Sequence, residues 1–197
     1  MNKVNLPQLA QEIHEAAVAK GFWDVEDATA KHLAKMISEL GEVVQADRAG
    51  VMYEVEREGA KPEGVVAELA DFVMMALDYV EQCDHKPSFH TGIVQYDRDI
   101  NSLVENDEIP IGSEEEFHAV AALKPVYCLI FPVAIVVSNI AMDGGPLRLI
   151  EGNVASLGYH IRTIEAWCAG NGYDLWEIIR QKMEYNKTRP ALHGRAY

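Results

Sequence analysis

Glu39-Leu40-Gly41-Glu42 and Glu68-Leu69-Ala70-Asp71 are the two stretches on which a reading of this chain turns. Each sets two carboxylates three residues apart among apolar neighbours. On an α-helix, positions i and i+3 share a face, so each stretch aims two oxygen ligands in one direction. Two such helices lying side by side bring four carboxylates to one place. Carboxylates that converge repel one another unless a cation neutralises them. Mg²⁺, with Mn²⁺ as the alternative, suits such a set, because both ions prefer hard oxygen ligands. The expectation is a metal-dependent hydrolase built inside a helical bundle.

The surrounding chain is compatible with that expectation. It has 197 residues, 49% hydrophobic and 24% charged, enough for one sizeable soluble domain. The net charge of −14 disfavours a large nucleic-acid surface, which needs Lys and Arg against phosphates. A small phosphorylated ligand is compatible with it, since a metal ion brings positive charge locally. Cys83, Cys128 and Cys168 are scattered and odd in number, with no CxxC spacing. They read as reduced thiols of a cytoplasmic protein. Residues 1–7 have no apolar core of the kind a signal peptide carries.

Helical periodicity runs through most of the rest. Residues 6–19 carry Leu9, Ile13, Ala16 and Ala17 on one face, and Gly21 ends the pattern. Asp27 reads as the N-cap of a helix over 28–48, closed by Gly50. Its apolar face is Leu33, Met36, Ile37, Leu40 and Val44, with Glu39 and Glu42 at the flank. Segment 51–62 is charged and reads as a loop, alone or with one helical turn. Pro62 suits the first turn of a third helix over 63–82. Residues 84–110 are mixed and polar, predicting a loop with a short helix. Residues 114–142 read as one helix, so apolar that it is expected to be buried on all sides. A transmembrane reading of that run is opposed by Lys124, Asn139, two prolines and the lack of a basic flank. Asp143-Gly144-Gly145-Pro146 stops it, a helix over 147–169 follows, and Asp174 caps a last one to about 187.

Weak internal likeness links the two halves. Residues 63–69 (EGVVAEL) resemble residues 151–157 (EGNVASL), and 42–45 resemble 135–138. In that alignment Glu39, Glu42, Glu68 and Asp71 become Pro132, Ile135, Ser156 and Tyr159. The expected arrangement is thus a metal-binding helix pair (27–83), a degenerate second pair or insertion (114–170) and a C-terminal helix (174–190), with a pseudo-dimer as one possible outcome.

That C-terminal segment concentrates cations in an acidic chain: Lys182, Lys187, Arg189 and Arg195, with Asn186 one helical turn from Lys182. Lys as a point charge, Asn as a donor and Arg as a fork can hold phosphate oxygens. Taken together, Glu39-x-x-Glu42 followed by Glu68-x-x-Asp71 resembles the motif of the all-α NTP pyrophosphatases, the MazG-like superfamily. Residues 182–190 (KMEYNKTRP) are similar to the closing segment of many of its members. His14 and Trp23, with the four acids, Lys182 and Asn186, are similar in type and order to the dCTP pyrophosphatase branch, where the matching His and Trp line the nucleotide pocket. An intact and a degenerate copy in one chain is similar to the dimeric dUTPases, although the motif text is closer to MazG. The resemblance covers residues 6–84 and 172–194 and leaves out the middle.

The resemblance implies an all-α bundle that hydrolyses a nucleoside triphosphate to the monophosphate and pyrophosphate, in nucleotide-pool house-cleaning. It implies Mg²⁺ on Glu39, Glu42, Glu68 and Asp71, with Glu39 as the general base. His14, Trp23, Lys182, Asn186 and Arg189 would meet the substrate. Relatives favour dimers or tetramers, so a homodimer is expected; a monomeric pseudo-dimer is the alternative, and neither nucleic acid nor membrane is an expected partner. Two other readings stand beside it: the same fold acting on dUTP or phosphoribosyl-ATP, and a helical interaction protein without catalysis.

Overall fold

Residues 65–80 are the most continuously buried stretch of the chain, and the first half is assembled around them. A computed structural model describes residues 4–57, 59–105, 114–122, 124–142 and 147–190. Eight helices follow one another among these residues: α1 (Leu6–Ala19), α2 (Ala28–Ala49), α3 (Val65–Gln82), α4 (Lys86–Glu105), α5 (Glu114–Ala122), α6 (Tyr127–Met142), α7 (Leu147–Gly170) and α8 (Leu175–Lys187). The all-α expectation is met: among the described residues the sole β pairing is an isolated bridge between Glu54 and Glu63. None of these helices is long and apolar enough to cross a membrane.

The chain divides into two compact units. One comprises residues 1–84 and 176–197, the other residues 85–175. In the first, α3 is the central helix and packs against α1 and α2. Val66, Leu69, Phe72, Val73, Ala76 and Leu77 are buried around its circumference. A helix apolar on every side belongs inside a bundle, which is why Glu68 and Asp78, also on α3, are buried with it. On α2 the buried residues are Leu33, Met36, Glu39, Leu40 and Val43, while Ile37 and Val44 are exposed. Glu39 therefore lies within the packed face of α2 and not at its flank, and the apolar stripe is turned from the one expected.

Local chemistry sets the ends of these helices. Asn5 accepts a hydrogen bond from the Gln8 amide at 3.4 Å and so caps α1. Asp27 does not cap α2 as expected: its backbone is left-handed (φ 54°) and its side chain makes no capping bond. The third helix starts at Val65, two residues later than expected, so Pro62 precedes it. Its first amides are satisfied by the preceding loop, Val65 N–H donating to Val51 O and Val66 N–H to Met52 O, each at 3.0 Å. Gly64 makes this possible, with φ +101° and a missing Cβ that would sit 2.8 Å from Met52 O. The loop 51–63 is thus sewn to the start of α3, one turn before Glu68.

In the second unit α7 packs against α4, α5 and α6. Val154, Leu157, Ile161, Ile164 and Cys168 form its buried stripe at helical spacing. Three expectations are corrected here. Residues 86–105 form a full helix of 20 residues where a loop with a short helix was expected. The helix expected over 114–142 is two, α5 and α6, separated around Pro125, which has no amide to donate. The Ala121 carbonyl, which Pro125 cannot serve, accepts from the Lys124 amide at 3.1 Å, and the Lys124 carbonyl accepts from the Trp167 indole at 2.9 Å. Nor is α6 buried all round: Val133 and Val137 are buried, whereas Tyr127, Phe131, Ile135 and Met142 are exposed. The expected stop at residues 143–146 and Arg195 lie outside the described residues.

Candidate functional site

The packing of α2 on α3 brings Glu39, Glu42 and Glu68 together. Each offers a carboxylate oxygen within 4.8 Å of the others, a spacing at which all three can ligate one cation. Glu39 and Glu68 are buried and Glu42 is half-buried. Asp71, the fourth expected ligand, lies one turn beyond Glu68 on α3 and is joined to it through Lys182. The Lys182 ammonium lies 2.5 Å from Asp71 Oδ2 and 3.8 Å from Glu68 Oε2. It also donates to Ala67 O at 2.7 Å, and its residue is only 2% exposed.

Two further lysines approach from outside. Lys35, one turn before Glu39 on α2, pairs with Glu39 and lies 3.7 Å from Glu42. Lys61, from the loop before α3, lies 3.5 Å from Glu68 and 4.0 Å from Glu63. The electrostatics are those of negative charge held in a packed interior. Burial, reinforced by the neighbouring Asp71 charge, lifts the Glu39 carboxyl to about 7, against the opposing pull of Lys35. Burial also raises Glu68, with Lys182 acting to lower it.

Glu68 Oε2 bears directly on what these residues can hold. It is buried and has no hydrogen-bond partner among the described residues. A buried carboxylate oxygen without a donor is costly. An all-oxygen donor set with one unsatisfied lone-pair site fits a hard divalent cation such as Mg²⁺ or Mn²⁺.

A second cluster lies farther along the same helix. Asp78 Oδ1 accepts hydrogen bonds from His14 Nδ1 at 2.7 Å and from Trp23 Nε1 at 3.0 Å. The Trp23 ring stacks on His32, centroids 4.7 Å apart at 23°. His32 Nε2 donates to the Met75 carbonyl at 2.7 Å, and its Nδ1 lies 3.7 Å from Asp78 Oδ2. Burial raises the Asp78 carboxyl despite these partners, and burial lowers His32. Glu68, Asp71, Met75 and Asp78 are spaced three, four and three residues apart, so one face of α3 carries both clusters. Asp71 and Asp78 are about 10 Å apart along the axis at 1.5 Å per residue.

Of the residues singled out in the sequence, Glu39, Glu42 and Glu68 thus converge directly. Asp71 and Lys182 adjoin them, and His14 and Trp23 meet at Asp78; Lys182, expected to face a substrate, is instead buried on Asp71 and Ala67 O. Asn186 and Arg189 are half-buried near the end of α8. Asn186 O accepts from the Arg189 amide at 3.1 Å, the Arg189 guanidinium lies over the Tyr185 ring, and Arg189 O accepts from Lys20. Lys35, Lys61, His32 and Asp78 were not anticipated. The signal for Asp78 was available, because it extends the acidic face of α3 at helical spacing. Nothing in the text around Lys61 distinguishes it from an ordinary loop lysine. Comparison with protein-family models, with curated proteins and with solved structures gave no match to this chain.

Proposed function

We propose that the protein is a metal-dependent nucleoside triphosphate pyrophosphohydrolase of the MazG-like kind, converting a (d)NTP to its monophosphate and pyrophosphate. The observation that carries this reading is the convergence of Glu39, Glu42 and Glu68 within 4.8 Å, with Glu68 Oε2 buried and lacking a hydrogen bond. Glu39, Glu42, Glu68 and Asp71 would hold Mg²⁺ or Mn²⁺. A divalent cation there supplies Lewis-acid polarisation of a phosphoryl oxygen and an acidified water.

The chain's own residues divide the remaining work. Glu39 is the proton acceptor for that water, as a carboxylate placed beside it can be. Lys182 is a positioning residue: its buried ammonium fixes Asp71 against Ala67 O. His14 and Trp23, both tied to Asp78, form an aromatic end suited to a nucleobase about two turns along α3 from the carboxylates. Asn186 and Arg189 stand as further phosphate contacts on the resemblance of the closing segment alone.

The test is pyrophosphate release from a panel of canonical and modified NTPs and dNTPs, with Mg²⁺ or Mn²⁺ and with EDTA. Metal-dependent turnover lost in Glu39→Ala is the expected result. Absence of turnover together with absence of any metal-dependent change in Tm overturns it.

A further inference from the structure

Three ammonium groups meet the carboxylates, and only one is built in. Lys182 is 2% exposed and donates to a backbone carbonyl. The side chains of Lys35 and Lys61 are 45% and 36% exposed and reach the cluster from opposite sequence neighbours, α2 and the loop before α3. Between them they contact Glu39, Glu42 and Glu68, the same three carboxylates whose oxygens converge. They do not satisfy the set, because Glu68 Oε2 still lacks a hydrogen-bond partner among the described residues.

We infer that Lys35 and Lys61 are exchangeable counter-ions, which yield their carboxylates to a divalent cation and turn to the anionic oxygens of the phosphate chain. This rests on the metal-dependent pyrophosphohydrolase reading above. The lysine ends of these pairs are half-exposed, and the incoming cation takes up the buried carboxylates they leave, so the exchange strands no buried charge. Lysine carries a point charge on a flexible stem, with none of the fixed fork that ties arginine to one partner. Lys61 already stands between Glu68 at 3.5 Å and Glu63 at 4.0 Å and so has an alternative carboxylate during the exchange. The charge balance gives the exchange a direction. With Glu63 included, five carboxylates face three ammoniums, and one divalent ion cancels that excess of negative charge. Only then does the site cease to repel a polyanion, and the two released ammoniums are tethered where it arrives.

The test uses the whole protein, with Mn²⁺ alone and then with the Mn²⁺–tripolyphosphate complex as probes. Reductive methylation followed by mass spectrometry reads how reactive each lysine is. Mn²⁺ should raise the labelling of Lys35 and Lys61 severalfold, tripolyphosphate should bring it down again, and Lys182 should stay protected throughout. By calorimetry, Lys61→Met should bind Mn²⁺ about two- to fivefold more tightly, the range open to a partly exposed pair. Lys61→Arg, which keeps the competing charge, should bind it as the unaltered protein does. Circular dichroism checks that both variants fold. If the unaltered protein binds Mn²⁺ while its Lys61 labelling stays constant, or if Lys61→Met binds no tighter, the exchange is overturned and the metal site stands. If the unaltered protein binds no Mn²⁺, the metal reading falls and the exchange falls with it.

Discussion

Glu39 shows how a single residue can be both a cost and a function. It lies in the packed face of α2, where an ionised carboxylate loses its hydration, and it titrates near 7 for that reason. Unfolding returns it to the ordinary value of 4.5. Between those two pH values the folded protein binds more protons than the unfolded one, so stability falls as pH rises through the window. In EDTA, the folded state should lose about 2–3 kcal/mol from this group between pH 4.5 and pH 8. Denaturant titrations at several pH values check this, and Glu39→Gln should flatten that part of the slope. Asp78 makes the complementary case. Asp78→Leu strands the Trp23 indole N–H and the His14 Nδ1–H and should cost about 2–4 kcal/mol. Asp78→Asn keeps an oxygen for both donors and removes the buried charge, so it should stay within about 1 kcal/mol of the parent. Thermal unfolding followed by tryptophan fluorescence separates the two outcomes.

At the scale of elements, helices announced by an apolar stripe and a stop were legible, and those specified by a close approach were not. The expected limits of α1, α2, α7 and α8 fall within a residue or two of those observed, because glycine, proline or aspartate stands next to their ends. Helix α4 escaped because glycine carries part of its packing. A Cβ on Gly92 would lie 1.7 Å from Ala155 O, and one on Gly158 of α7 would lie 2.3 Å from Phe89 O. The two helices meet backbone to backbone through a reciprocal pair of glycines, and a stripe of large side chains has no way to register that. Gly92→Ala and Gly158→Ala should each force α4 and α7 apart and cost at least about 1–3 kcal/mol, visible as a lower denaturation midpoint. At the site, the two acidic pairs were legible because i, i+3 spacing is local. The Asp78 cluster joins residues 14, 23, 32 and 78, and only tertiary packing brings those positions together.

At the scale of the whole molecule, the carboxylates belong to one unit and the reciprocal glycines to the other. A divalent ion should therefore act unevenly. Hydrogen exchange with and without Mn²⁺ should show protection gained chiefly in α2 and α3, with α4 and α7 changing least. The same ion should raise Tm in the unaltered protein and fail to do so in Glu68→Ala. Uniform protection across the chain, or a Tm shift that survives Glu68→Ala, would place the bound ion elsewhere.

Lys182 also bears on the order in which the chain is made. The first unit is discontinuous: residues 85–175 intervene between α3 and the lysine that neutralises Asp71. During synthesis α2 and α3 emerge early, with Glu68 and Asp71 lacking their fixed counter-ion, while the second unit has its whole sequence available first. Domains fold as units in the order of their emergence, so the second unit closes while the first still waits for its last helix. A fragment of residues 1–181, free of the ribosome, should expose α3 to protease and keep α4–α7 protected. The carboxylate centre is then the last part of the first unit to be completed, when one buried ammonium arrives.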